Sequence, residues 1–109
     1  MSGWIGVDLD GTLAFWDIWR GIEHIGKPIP AMVLRVKNWL AKGIEVKIFT
    51  ARACDVEAIP FIEKWCLEHI GKILPVTNMK DFDMIEIWDD RAIRVRENSG
   101  ETCCSSYKG

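Results

Sequence analysis

The stretch that decides the fold is Ile5-Gly6-Val7-Asp8-Leu9-Asp10-Gly11-Thr12-Leu13. It is a short apolar run that ends in two carboxylates two positions apart, with a glycine directly after them. Gly11 indicates a sharp turn, because glycine adopts backbone conformations that other residues avoid. The pattern therefore predicts a pair of acids at the carboxyl end of a buried strand, where open α/β sheets bind their ligands. Two carboxylates this close repel each other and need a cation, a proton or a charged ligand.

The composition is that of one globular domain. With 109 residues, 49% of them hydrophobic and six of them Trp, the chain can bury a core. A formal net charge of −2 argues against a broad positively charged surface that attracts nucleic acid or membranes. We recognise no signal peptide and no apolar run of the ~20 residues that span a bilayer, so we expect a cytoplasmic protein without a membrane partner. The four cysteines lack metal-ligand spacing and are predicted to be reduced thiols.

The periodicity of the apolar residues predicts two helices and five strands. The helices cover 31–42 and 55–70, each followed by a glycine as a stop signal. The strands cover 4–9, 44–49, 73–77, 84–88 and 92–96. Residues 14–30 are expected to be irregular, and 98–109 to form a flexible tail behind a core domain of residues 1–97. Strands that alternate with helices predict an α/β fold with a mainly parallel sheet and right-handed crossovers.

Polar residues follow four of the predicted strands at one edge of that sheet. They are Asp8 and Asp10, then Thr50, then Lys80, and finally Asp89-Asp90. Together these groups suit phosphoryl transfer. A carboxylate can attack phosphorus, and Mg²⁺ typically sits between carboxylates and a phosphate. A hydroxyl and a lysine can hold the phosphoryl oxygens, while a second carboxylate passes a proton.

In these motifs the sequence resembles the haloacid dehalogenase superfamily of phosphohydrolases. Asp8 to Leu13 matches its first motif at every position, and Thr50, Lys80 and Asp89-Asp90 match the other three in order. The resemblance implies a Rossmannoid three-layer sandwich with a five-stranded sheet in the order 3-2-1-4-5. No cap domain fits between the motifs, which implies a minimal, capless member. Its open site suits a large substrate, or a neighbouring subunit of a homo-oligomer supplies the lid.

The resemblance also implies a role for each motif residue. Asp8 would be the nucleophile and a Mg²⁺ ligand. Asp10 would be the general acid and base, and its main-chain carbonyl would bind the metal. Thr50 would bind the phosphoryl group, and Lys80 would pair with Asp8 and the phosphoryl oxygens. Asp89-Asp90 would complete the Mg²⁺ site. The activity implied is a Mg²⁺-dependent phosphomonoester hydrolase, or phosphatase, that acts through an aspartyl-phosphate.

Three further residues are candidate substrate contacts. Arg52 and Arg91 each follow a motif directly and either contact substrate or form structural ion pairs. Trp16 belongs to an apolar cluster after the first motif, which either stacks on a nucleobase or sugar ring or packs against the core or another subunit. We expect the substrate to be a phosphorylated small molecule, such as a nucleotide or a sugar phosphate, or an exposed phosphate on a nucleic-acid end or a protein.

Two functions of other classes compete with a phosphatase. A phosphoacceptor signalling module combines the same residue types, but its acid pair comes first and an isolated Asp ends its third strand. Here the third strand runs into Val76-Thr77-Asn78. A non-catalytic binding protein with this fold is the other alternative. We favour it less because all four motifs are present.

Overall fold

A computed structural model describes residues 3–103. Its elements, in chain order, are β1 (Trp4–Val7), α1 (Pro30–Ala41), β2 (Glu45–Phe49), α2 (Ile59–His69), β3 (Val76–Thr77) and β4 (Met84–Trp88). Two 3₁₀ turns, Ala51–Cys54 and Val56–Ala58, precede α2. All neighbouring strands are parallel, in the order β3-β2-β1-β4. The predicted α/β class with a mainly parallel sheet is confirmed.

None of the helices in residues 3–103 combines the length and the apolar character that crossing a bilayer requires.

The core lies between the sheet and both helices. Ile5 and Val7 of β1 and Val46 and Ile48 of β2 belong to one cluster of buried residues. The helices contribute Met32, Val33, Val36, Ile62, Trp65 and Cys66 to the same cluster. The two crossovers move across the sheet in the same direction, so right-handed connections place both helices on the same face.

The opposite face of the sheet is partly covered by side chains and by the connection from β3 to β4, and Ile87 of β4 stays exposed. Trp4 is 2% exposed, with the Lys47 ammonium 4.5 Å and the Phe49 ring 6.4 Å from its ring centre. Its Nε1 donates a hydrogen bond to Asp81 on that connection. Residues 78–83 are too few to cross the sheet and also form a helix, so the predicted third layer does not form in the described part of the chain.

The predicted fifth strand is wrong. Residues 92–96 join no strand of the sheet and pair locally instead. Arg96 donates from its main chain to Glu101, and Cys103 donates to the main-chain oxygen of Arg94. This local pairing gives the segment backbone partners without β4, and its two large apolar side chains, Ile93 and Val95, stay exposed. Part of the predicted tail, up to Cys103, therefore has hydrogen-bonded structure, and residues 104–109 lie outside the described residues.

Other differences from the predicted bounds follow from proline and from the turn after β1. The second helix begins at Ile59 rather than 55, because Pro60 fits only the first turn of an α-helix. Asp55 caps a 3₁₀ turn instead, accepting from the main chain of Glu57. Pro75 cannot donate to a neighbouring strand, and β3 begins only after it. The first strand ends at Val7, so Asp8 and Asp10 belong to the turn that follows.

The irregular segment between β1 and α1 forms a loop, residues 15–27, that we call the flap. Its base is closed by main-chain hydrogen bonds from Phe15 to Lys27 and from Ile29 to Leu13, both 2.8 Å. Trp65 of α2 donates from Nε1 to the main-chain oxygen of Gly26 at 2.9 Å. A β-carbon on Gly26 would lie 1.9 Å from the carbonyl oxygen of Phe15. Only glycine allows the two ends of the flap to pack this closely.

Replacing Gly26 with Ala is expected to destabilise the fold by about 2–4 kcal/mol, because the added methyl group meets a main-chain carbonyl that cannot swing away. Gly43→Ala is the matched control. Gly43 has a φ of +78° and open space around it, so its substitution adds only conformational strain of about 1–2 kcal/mol. Urea unfolding measures both losses. A smaller loss for Gly26→Ala than for Gly43→Ala would contradict the tight flap base.

Candidate active site

Three carboxylates meet where β1 and β4 end. Val7 pairs with Trp88 in the parallel register, so the residues that follow them, Asp8 and Asp89, leave the sheet side by side. Carboxylate oxygens of Asp8, Asp89 and Asp90 all lie within 4.8 Å of one another. We call these three residues the acid cluster. The Thr12 hydroxyl lies 3.4 Å from Asp8 Oδ2 and 3.3 Å from Asp90 Oδ1, so it links two members of the cluster.

Gly11 makes this approach possible. Its φ of +91° lies in the left-handed region, and a β-carbon there would sit 2.7 Å from Asp90 Oδ2. The turn predicted after Asp10 is confirmed, and the glycine has a second purpose that the sequence did not reveal. It leaves room for the Asp90 carboxylate to reach the turn.

The acid cluster is electrostatically unbalanced. The pKa of Asp8 is raised from 3.8 to about 7, first by burial, then by its hydrogen bond with Asp90, and then by the charges of Asp89 and Asp90. The two ion pairs within residues 3–103 join other residues, Arg20 to Asp17 and Arg52 to Asp10. The donor set is therefore all carboxylate and has no cation of its own.

This donor set fits Mg²⁺, which prefers oxygen ligands. Ligand oxygens around one such ion lie at most about 4.2 Å apart, since each sits about 2.1 Å from the metal. The oxygens of the cluster, all within 4.8 Å of one another, are close to this spacing. The three predicted side-chain ligands are thus together, whereas Asp10, predicted to bind the metal through its main-chain carbonyl, has its side chain on Arg52.

The Asp10 carboxylate is bound by Arg52. The guanidinium makes two hydrogen bonds to it, from Nε at 2.7 Å and from Nη2 at 2.9 Å. The same guanidinium donates to the main-chain oxygens of Ile22 and His24 in the flap, at 3.4 and 3.0 Å. Arg52 is only 8% exposed. Of the two roles left open for Arg52, the structure has the ion pair, and this ion pair joins the first turn to the flap.

Thr50 lies at the end of β2 and is 4% exposed. Its main-chain N–H donates to the carbonyl of Thr77, and its hydroxyl oxygen accepts from the main-chain N–H of Arg52 at 3.1 Å. The hydroxyl thereby caps the 3₁₀ turn that carries Arg52. Its own O–H stays available as a donor.

One cavity of about 920 Å³ brings together all but one of the predicted site residues: Asp8, Asp10, Trp16, Thr50, Arg52, Asp89, Asp90 and Arg91. Lys80 does not line it. After β3 the chain runs from Asn78, at the end of the sheet that carries the acid cluster, to Asp83 at the other end, where the Asp83 carbonyl accepts from the main chain of Trp4. Lys80 lies exposed on this connection. Asn78 lines the cavity instead. Sequence reasoning passed over Asn78, although it follows β3 as directly as Asp8 follows β1.

No family model, no curated protein and no solved structure matches the chain.

In the presence of a chelator, Asp90→Asn is expected to raise the melting temperature by about 4–8 °C, because relief of about 1 kcal/mol of repulsion shifts a domain of this size by that much. Mg²⁺ should stabilise the wild type and stabilise Asp90→Asn far less. Asp83→Asn changes an exposed carboxylate outside the cluster and should follow the wild type in both conditions. Equal stabilisation of all three proteins by Mg²⁺, measured by thermal unfolding, would exclude the cluster as the metal site.

The metal-free protein is expected to lose stability as the pH rises from about 4 to about 7. Asp8 keeps its proton in the folded state over this window and loses it in the unfolded state, so the folded state binds more protons. The loss is on the order of 2–4 kcal/mol and levels off above about pH 7. Asp8→Asn should remove it. Urea unfolding in chelator at several pH values measures how the free energy of unfolding changes with pH. The same pH dependence in Asp8→Asn as in the wild type would contradict the raised pKa.

Proposed function

We propose that the protein is a Mg²⁺-dependent phosphomonoesterase of the haloacid dehalogenase type, with Asp8 as its nucleophile. The observation that carries the proposal is the acid cluster at the ends of β1 and β4, in one cavity with Thr50 and with a separately held carboxylate, Asp10. A purely structural explanation does not account for three carboxylates gathered without a counter-charge, since such a group destabilises the fold.

The charge of the cavity supports a metal-dependent reaction. It is lined by five carboxylates, of Asp8, Asp10, Asp55, Asp89 and Asp90, against two guanidinium groups. One of these guanidinium groups is already engaged with Asp10. An anionic phosphate ester would be repelled from such a cavity. Mg²⁺, when bound, supplies the positive charge that lets an anionic nucleophile and an anionic ester approach each other.

Asp8 would open the reaction. Its carboxylate oxygen attacks phosphorus, a bond from oxygen to phosphorus forms, and the bond from phosphorus to the leaving oxygen breaks. Asp10 first takes up a proton from solvent in exchange for its ion pair with Arg52, and it then gives this proton to the leaving oxygen. The product on the enzyme is a phosphoryl group joined to Asp8, and the alcohol departs.

Water would close the cycle. Asp10 takes a proton from a water molecule as that water attacks the phosphorus of the aspartyl-phosphate. Inorganic phosphate leaves, Asp8 is free again, and Asp10 releases its proton to solvent and pairs with Arg52 again. The ion pair with Arg52 gives Asp10 a fixed position in the cavity, apart from the acid cluster. Two acids that lie close in sequence can therefore take different parts in the reaction.

Donors for the phosphoryl oxygens come from other strand ends. The Thr50 O–H, the Asn78 side chain and the Arg91 guanidinium all line the cavity. The role of Lys80 stays a prediction of the resemblance, since it requires residues 78–83 to carry the ammonium group into the cavity. A lid from a neighbouring subunit and a cytoplasmic location also stay proposals.

The proposal is tested by hydrolysis of p-nitrophenyl phosphate with Mg²⁺. Asp8→Asn is expected to lower kcat at least about 10³-fold, because the nucleophile is lost, and Asp10→Asn to lower it about 10²–10⁴-fold. Asp83→Asn is the matched control and should keep wild-type activity. Undiminished activity in a folded Asp8→Asn protein would remove the nucleophile assignment. Lasting phosphorylation of the wild type without turnover would favour the phosphoacceptor alternative.

A further inference from the structure

The flap exposes aromatic surface that the core does not use. Trp16 is 37% exposed and Trp19 is 54% exposed, and Phe15 and Ile18 beside them are also exposed. A single exposed apolar residue needs no explanation, whereas a contiguous group of them marks a surface that binds something. The group lies within residues 15–19, directly after the first motif.

The flap holds this surface in a fixed shape. Asp17 accepts from the main-chain N–H of Ile18 at 2.6 Å and pairs with Arg20 at 2.7 Å, which closes a tight turn around Trp19. The Arg52 guanidinium lies 4.9 Å from the centre of the Trp19 ring. One face of the indole is thus held by a buried side chain, and the exposed remainder is available for stacking.

The two tryptophans face the candidate active site. Trp16 and Trp19 line the same 920 Å³ cavity as the acid cluster, and Trp16 also lines a smaller neighbouring cavity of about 270 Å³ together with Phe15 and Ile18. Ile22 and Phe49 extend the apolar part of the larger cavity. A subunit contact would not require tryptophans in a cavity with carboxylates. A ligand with an apolar ring and a phosphate group matches both parts of the lining.

Arg52 lies between the aromatic part and the acidic part of the cavity lining. Its guanidinium lies against Trp19 and also binds Asp10, so the width of an ion pair separates the aromatic ring from the acid. Trp19 and Asp8 both line the larger cavity, with Arg52 and Asp10 between the ring and the acid cluster. A ring carried on a sugar would reach Trp19 from a phosphate at Asp8 more readily than a ring attached directly to the phosphate. We propose that the substrate is a mononucleotide whose base stacks on Trp19, an inference that rests on the proposed phosphatase activity for its phosphate end.

The experiment compares adenosine 5′-monophosphate with ribose 5-phosphate, which has the same sugar phosphate but no base. The wild type is expected to show a kcat/KM ratio about tenfold to hundredfold in favour of the nucleotide, the usual worth of one stacked base. Trp19→Ala should bring the ratio close to one, and Trp19→Phe should keep most of it. Phe61→Ala removes another exposed ring, on α2 and outside the cavity lining, and should keep the wild-type ratio.

Binding separates this inference from the proposed activity. Quenching of tryptophan fluorescence by adenosine 5′-monophosphate is measured on the Asp8→Asn protein, which should not hydrolyse the nucleotide, with and without Trp19→Ala. Quenching that depends on Trp19 supports the stacking site even if no ester is hydrolysed. If the wild type hydrolyses both esters with a kcat/KM ratio near one, the phosphatase proposal stands and the mononucleotide proposal is wrong. A preference for phenyl phosphate over the nucleotide would also contradict the mononucleotide proposal. The same holds if the Trp19→Ala protein no longer self-associates in sedimentation but keeps the wild-type preference for the nucleotide over ribose 5-phosphate.

Discussion

The parallel pairing of β1 with β4 is the constraint on which the rest of the site depends. With Val7 beside Trp88, the next residue of each strand is an aspartate, and a third aspartate follows Asp89. Unit charges about 4 Å apart repel by about 4 kcal/mol at the effective dielectric constant of a protein surface. Burial of Ile5 and Val7 in the core fixes the strands, so the acids cannot separate by sliding. They remain together only with a proton or a cation, and Asp8 accordingly has a raised pKa.

Arg52 is the second organising group, because it decides where Asp10 points. The guanidinium takes Asp10 out of the acid cluster and ties it to the flap through Ile22 and His24. The ends of β1 and β2 and the flap thus meet at one buried side chain. This arrangement gives the cavity an acidic part beside β4 and an aromatic part beside the flap, and the proposed substrate uses both.

Sequence reasoning predicted the elements whose signals are local. The apolar runs gave the four observed strands and both helices, and the residues after each strand gave the acid cluster and Thr50. The fifth strand was wrong because Ile93 and Val95 alternate like a strand, yet residues 94–96 find backbone partners at 101–103. The position of Lys80 was missed because it depends on the path from β3 to β4. The contacts of Arg52 with Asp10 and the flap join distant parts of the chain, and no local pattern reveals them.

The most direct test of the metal site is anomalous X-ray diffraction from crystals soaked in Mn²⁺, which shares the octahedral oxygen chemistry of Mg²⁺. One strong anomalous peak is expected in contact with the carboxylates of Asp8, Asp89 and Asp90, with the Asp10 side chain still on Arg52. A saturating soak that leaves the acid cluster without a peak, or that places the ion only elsewhere on the protein, would contradict a metal site at the ends of β1 and β4.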